Sequence, residues 1–310
     1  MNKLKPLPEE WSGLLNNEQK EAIENIYGPL LIIAGAGSGK TRVLTYRYAH
    51  LIKTYGINFE NVLAITFTNK AANEMKDRIS DLLNLELSPK WISTFHSLCV
   101  KMLRIHGHLI GFNNNFTIYD QSDSTKLVRN CMRDSDIDTK QYSPKRIQAH
   151  ISSLKNQRIL PGEAVEFAQS FFDVKVAEIY SSYQKKLMLA NSMDFDDLLI
   201  KAVELLETSD KSLNYWSSKF QYIMIDEYQD TNMVQYRLVE LLASKHKNIC
   251  VVGDSDQSIY AFRGADIRNI EEFESDFKNA KVISLEKNYR SSQKILDIAN
   301  AVISNNPRKK

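Results

Sequence analysis

Cysteine is scarce: among 310 residues only Cys99, Cys131 and Cys250 occur, far apart and without metal-ligand spacing. They read as reduced, mostly buried thiols. A leading apolar run is missing as well, because the chain opens Met1-Asn2-Lys3-Leu4-Lys5-Pro6, and no later stretch is apolar enough for a bilayer. A cytoplasmic protein without a membrane partner is the expectation. Nor is there an excess of one charge: 40 basic against 38 acidic side chains leave +2. Any nucleic acid would therefore be held in a local groove and not by a global field. With 43% apolar and 25% charged residues, the composition is that of a globular chain long enough for roughly two domains.

The most informative stretch is Leu30-Leu31-Ile32-Ile33-Ala34-Gly35-Ala36-Gly37-Ser38-Gly39-Lys40-Thr41. An apolar run predicts a buried strand, and the residues from Lys40 to about 55 predict a helix. The loop between them has the Walker A spacing, with Ala34 at its first glycine position. Its glycines let successive N–H groups of Ala36, Gly37, Ser38 and Gly39 turn toward one anion, and the helix N-terminus adds its own donors. In such a loop Lys40 reaches the β- and γ-phosphates and the Thr41 hydroxyl ligates Mg²⁺. A glycine turn with no ligand is the plainer alternative, disfavoured by the strand before, the helix after and a Lys-Thr in register. Upstream, Asn17 is a candidate helix cap and Gln19 a candidate reader of an adenine edge.

Downstream, apolar runs repeatedly end in aromatic and polar side chains. Residues 62–65 run into Thr66-Phe67-Thr68-Asn69, and Trp91-Ile92 into Ser93-Thr94-Phe95-His96-Ser97. Ligand contacts gather at strand C-termini in open parallel sheets. Phe67 is a core residue or an exposed stacking ring. Asn69, Thr94 and His96 are candidate contacts to a sugar-phosphate backbone.

From about 111 to 193 the alternation of strand and helix gives way to helical spacing, at 126–132, 147–154 and 174–189. An inserted helical subdomain is the reading. Its Lys140, Lys145, Arg146, Lys155 and Arg158 fit a solvated face as well as a duplex-binding one. The acidic Asp194-Phe195-Asp196-Asp197 at a helix head reads as structural.

Residues 220–225 then form a strand ending in Asp226-Glu227-Tyr228-Gln229-Asp230, the form of a Walker B site. Asp226 would hold Mg²⁺ and Glu227 would orient and deprotonate the attacking water. After the strand 249–252 comes Gly253-Asp254-Ser255-Asp256-Gln257-Ser258-Ile259-Tyr260-Ala261-Phe262-Arg263. Gln257 is placed to sense a γ-phosphate, and Tyr260, Phe262 and Arg263 offer two rings and a cation to bases. A last strand, 282–285, precedes Asn288-Tyr289-Arg290-Ser291.

In this order the motifs at Gln19, 35–41, 65–72, 91–97, 193–198, 226–230, 253–265 and 288–291 resemble those of the UvrD/Rep/PcrA helicases of superfamily one. The resemblance covers almost the whole chain. It implies a RecA-like P-loop NTPase fold of class α/β, with a parallel sheet flanked by helices and an inserted all-helical subdomain. The first motor domain would be split into 1–110 and 194–284 around the insert 111–193, with 285–310 opening a second motor domain. ATP and Mg²⁺ are the implied cofactors, and single-stranded DNA with its junctions to duplex the implied partner, traversed 3′ to 5′. By position, residues 36–42, including Arg42, hold the nucleotide, Gln19 reads adenine and Tyr289 stacks on it. Lys40, Glu227, Gln257 and Arg290 form the implied catalytic set, with Thr41 and Asp226 on the metal. Phe67, Tyr260 and Phe262 would stack on bases, with Asn69, Thr94, His96 and Arg263 on the same side. Phe262 stands where close relatives usually carry tryptophan.

The resemblance also implies a further arginine from the second motor domain, only the first strand and helix of which fall within residue 310. This chain is therefore expected to bind ATP·Mg²⁺, hydrolyse it slowly and not unwind DNA. Rival readings are the helicase part of a RecB- or AddA-like helicase–nuclease and a nucleotide-gated DNA-binding module without turnover.

Overall fold

The computed structural model describes residues 4–84, 89–261 and 264–305. Among them six strands build one parallel sheet: β1 (Leu30–Ala34), β2 (Val62–Thr66), β3 (Ile92–Thr94), β6 (Tyr222–Ile225), β7 (Ile249–Gly253) and β8 (Lys281–Leu285). Two more, β4 (Thr117–Tyr119) and β5 (Ser192–Asp194), pair in parallel away from it. The spatial order in the large sheet is β3-β2-β6-β7-β1-β8. Its central strands are unbroken apolar runs because both faces are covered by helices. Alternate residues feed two cores. Leu31, Leu63, Ile65, Ile223, Ile225, Ile249 and Val251 point into one. Leu30, Ile32, Val62, Ala64, Met224, Cys250 and Val252 point into the other. That period of two is the pleat of a β-strand.

Parallel pairing puts all strand C-termini on one rim. The order places the ends of β6, β7 and β1 side by side, so the segments after them meet. β8 pairs with β1 from Leu30↔Lys281 to Ala34↔Leu285 and is the edge of this sheet. The helix Gln293–Ile303 follows it with Ile295, Ile298 and Val302 exposed.

Between β4 and β5 lie the helices Gln121–Asp134, Pro144–Asn156 and Phe171–Leu189, which enclose an apolar core of their own including Val128, Ile147, Ile151, Val176 and Leu187. The helical reading of 111–193 overlooked the two short strands at its base, which are too brief to show a period. One residue departs sharply from the solvated face expected of the basic run. Lys155 is 1% exposed. Its ammonium donates to Asp194 Oδ2 at 2.7 Å and to Asp197 Oδ1 at 2.8 Å. Tyr183 also donates to Asp194 (2.8 Å) and Gln184 to Asp197 (3.0 Å). Burial opposes the charge on Lys155, but Asp197 and Asp194 outweigh it and raise its pKa. Asp194 and Asp197 meanwhile form the capping box of the helix Phe195–Thr208, so the acidic cluster is structural, with a buried lysine as its counter-charge.

Removing one partner of a buried ionic group strands the rest. Lys155→Ala is expected to cost about 3–5 kcal/mol in urea unfolding; a change no larger than an exposed lysine gives would contradict the triad's burial.

Candidate nucleotide and nucleic-acid sites

Gly39 starts the helix Lys40–Lys53 with φ +94° and contributes no side-chain cap. The first intrahelical bond beyond it is Val43 N–H to Gly39 C=O, 3.0 Å. The N–H groups of the first turn therefore face the loop, as anion donors do. Gly37 also has positive φ, and a Cβ there would meet Arg290 Cβ at 2.7 Å and Asn288 Nδ2 at 2.8 Å. The segment 288–290 thus lies directly against the glycine loop. Tyr289 N–H donates to Gly37 C=O at 2.9 Å, and the Asn288 amide donates to Ala36 C=O. Ser38 Oγ closes the loop on Gly35 C=O at 2.7 Å.

Asn16, one residue before the expected cap, caps the helix Asn17–Glu24 in a reciprocal box with Gln19. Gln19 is buried and donates to Ser38 C=O at 3.0 Å while accepting from Asn16 N–H. One amide N–H and one lone pair of Gln19 are not consumed by these bonds. Asn16 Nδ2 also donates to the Tyr289 hydroxyl at 3.0 Å. Gln19, Tyr289 and the loop are thereby tied together. Exposed Arg42 lies over the Tyr46 ring, 5.6 Å from its centroid.

Across the rim, Thr41 Oγ1 donates to Asp226 Oδ2 at 3.2 Å. Lys40 Nζ donates to Glu227 Oε2 and to Gln257 Oε1, both at 3.2 Å. Adjacent acids on a strand point to opposite faces. Here β6 ends at Ile225, and Glu227 takes the left-handed conformation (φ 52°, ψ 47°), which swings both carboxylates to one side. A non-glycine residue so placed carries backbone strain of about 1–3 kcal/mol, and such strain clusters at functional sites.

Asp226 is buried, and that burial, reinforced by the charge of Glu227, raises its pKa to about 6 against the pull of Lys40. A divalent cation beside Thr41 and Asp226 would relieve this cost. Among the described residues no three His, Cys, Asp or Glu side chains cluster as a metal cage. Mg²⁺ does not require one, being held by one or two carboxylates together with substrate phosphates. The donors present fit ATP·Mg²⁺.

Gln229 is a functional position the sequence reading missed. Its amide donates to Glu227 Oε2 at 2.9 Å, and its carbonyl accepts from Asp254 N–H at 3.1 Å. It can enter because residue 253 is glycine: a Cβ there would meet Gln229 Oε1 at 2.8 Å. Asn288, to which the motif pattern assigns no role, also accepts from Arg290 N–H and Ser291 N–H, both at 2.8 Å.

A second group of candidates sits on the same rim toward β3. Phe67 and Tyr260 are half-buried rings with centroids 4.7 Å apart. Phe67, Asn69, Thr94 and His96 line one depression of about 350 Å³ together with Phe195. Thr94 caps the helix Phe95–His106 through Ser97 N–H, which occupies its hydroxyl. Burial holds His96 below its usual pKa. Phe195, 52% exposed and edge-on to His96 at 5.8 Å, was absorbed into the acidic cluster by the sequence reading. The signal available was its place directly after a strand, as with Phe67. Phe67, His96, Phe195 and Tyr260 also line a cleft of about 710 Å³ shared with Ser152 and Asn156 of the inserted helices. Asn156 closes it, donating to Asp196 Oδ1 (3.1 Å) and accepting from Asn232 (2.7 Å). Phe262 and Arg263 lie outside the described residues.

Residues 15–278 match the family described as UvrD/REP helicase N-terminal domain. The chain belongs to that family. It is also 50% identical over 296 residues to an ATP-dependent DNA helicase PcrA of Staphylococcus aureus, covering 96% of this chain and 40% of the relative. The PcrA of Staphylococcus epidermidis gives the same identity and covers 41% of its own length. This chain thus spans about two fifths of the relatives it matches. UvrD/REP membership carries the P-loop NTPase fold, which accounts for the sheet order and the glycine loop described above. No helix among the described residues is long and apolar enough to cross a membrane.

Because Asp226 is costly to ionise in the folded chain, Asp226→Asn is expected to stabilise the ligand-free protein by about 1–3 kcal/mol at neutral pH. The folded pKa lies above the unfolded one, so the gain shrinks as pH falls through about 6 toward 4, where the native carboxyl is already protonated. Equal stability of the two proteins at neutral pH by thermal unfolding would contradict the assignment.

Proposed function

We propose that this chain is the ATP-binding motor portion of a DNA helicase that moves 3′ to 5′ along single-stranded DNA. The observation that carries the reading is the convergence of Lys40, Thr41, Asp226, Glu227 and Gln257 on the uncapped helix start after the glycine loop. Loop and helix N–H groups bind the triphosphate, and Lys40 exchanges Glu227 for the phosphates. Thr41 and Asp226 hold Mg²⁺, which when bound neutralises phosphate charge. Glu227, steadied by Gln229, orients the attacking water and accepts its proton. Gln19 and Tyr289 flank the adenine. Gln257 bridges the phosphate site to the segment carrying Tyr260, and Arg290 stands beside the loop at Gly37; both are suited to report the state of the γ-phosphate.

Single-stranded DNA occupies the aromatic depression, with Phe67 and the adjoining Tyr260 stacking on bases and Asn69, Thr94 and His96 on its backbone side; the family resemblance assigns Phe262 to stacking and Arg263 to the same DNA-facing group. Residues 111–193 form a subdomain inserted in the motor, and 285–310 lead into a second motor domain. That domain supplies an arginine whose like is worth about 10³–10⁵ in rate. In a chain that includes the second motor domain, Glu227→Gln should retain ATP binding and abolish hydrolysis; a variant that still hydrolyses at the parent rate would remove Glu227 from its role.

Stacking contributes about 1–3 kcal/mol per base and tolerates any sequence. Phe67→Ala/Tyr260→Ala should thus weaken oligothymidylate binding by about tenfold or more in fluorescence anisotropy. Affinity equal to the parent's would sink the stacking argument.

A further inference from the structure

The opposite rim of the sheet carries an unassigned cluster. Trp91 sits just before β3, and three ammonium groups lie around its ring: Lys219 at 5.0 Å, Lys101 at 5.2 Å and Lys90 at 5.3 Å from the centroid. Its far side is packed edge-on against Trp216 and Phe220 in the core, so the lysines gather at its outer side. The indole N–H donates to Glu60 Oε2 at 2.6 Å, and Lys219 shares that oxygen at 3.3 Å. Lys101 also donates to the Lys90 main-chain carbonyl at 2.7 Å, which holds its stem against the backbone of Lys90. Lys101 is held below its ordinary pKa by burial and by the charges of Lys76 and Lys90, with Glu60 opposing them. Glu60 offsets part of this charge through its ion pair with Lys219, and the like charges that remain repel unless a further anion joins them.

Position gives the cluster a meaning. Glu60, Lys90 and Lys219 precede β2, β3 and β6, whereas the nucleotide and aromatic residues follow strand ends. β3 is the edge strand. Thr94 of the aromatic depression lies at its upper end and Trp91 at its lower end, about 10 Å away along the strand. The helix Phe95–His106 starts at the upper end of β3, packs on one face of the sheet and carries Lys101 back toward Trp91.

We propose that Lys90, Lys101 and Lys219 form a second nucleic-acid contact, holding the phosphate backbone of a strand that continues down the β3 edge from the aromatic depression. The indole positions the ammonium groups and Glu60 sets the indole. Recognition is of backbone charge and not of sequence. The inference rests on the reading that the depression takes single-stranded DNA.

The test compares the 310-residue parent with Lys90→Gln/Lys101→Gln/Lys219→Gln and with the corresponding triple arginine form. The probes are a short oligothymidylate that fills only the depression and one several times longer. Each lost phosphate contact lowers the salt slope of binding by about 0.7. The glutamine form should lose about 2 from the slope and roughly tenfold in affinity for the long probe. It should bind the short probe as the parent does, and the arginine form should match the parent on both. An unchanged slope for the long probe overturns the proposal and leaves an acidic protein as the partner class. Equal loss in the arginine and glutamine forms also overturns it. Failure of the short probe to bind the parent would instead sink the reading of the depression.

Discussion

The structure depends on a carboxylate kept where it is expensive to keep one. Asp226 is buried at the end of β6, beside another acid and opposite the start of a helix that has no capping side chain. Each half of that arrangement favours an added charge: Lys40 only partly offsets the burial of the carboxylate, and the uncapped helix start turns its N–H donors toward an anion. A phosphate–cation pair, as proposed, would complete the two together. The sheet order exists to make this meeting possible, because it sets the ends of β6, β7 and β1 next to each other.

Around that centre the chain spends its irregular backbone sparingly. Glu227 is left-handed so that neighbouring acids share one cavity, and Gly253 is bare so that Gln229 can reach Glu227 from behind. Gln257 contacts Lys40 and stands three residues before Tyr260, which packs on Phe67. The proposed nucleotide site and the proposed base-stacking rings are therefore linked by one short segment. The inserted helices approach the same segment from outside through Asn156, whose Cβ lies 3.2 Å from the position a Cβ on Gly264 would take.

Much of this was legible in the sequence, for physical reasons. Parallel strands buried on both faces must be continuously apolar, so β1, β2, β6 and β7 were marked by composition alone. A glycine loop between a strand and a Lys-Thr helix start has few other uses. Lys155 was not legible, because a lysine's burial depends on carboxylates some forty residues later that come together only in the fold. The strands β4 and β5 are three residues each, shorter than any readable period. The placement of β8 at the sheet edge depends on long-range pairing, which a local pattern does not encode. Gln229 and Asn288 act through contacts to other motifs, and spacing alone carries no sign of them.

The central claim, that Asp226 and the helix start after Gly39 face one triphosphate–cation pair, is tested most directly by calorimetric titration of a non-hydrolysable ATP analogue into the chain with and without Mg²⁺. The account predicts a single site whose affinity rises steeply with the metal. Binding of equal strength in a chelator, or no binding in either condition, would contradict it.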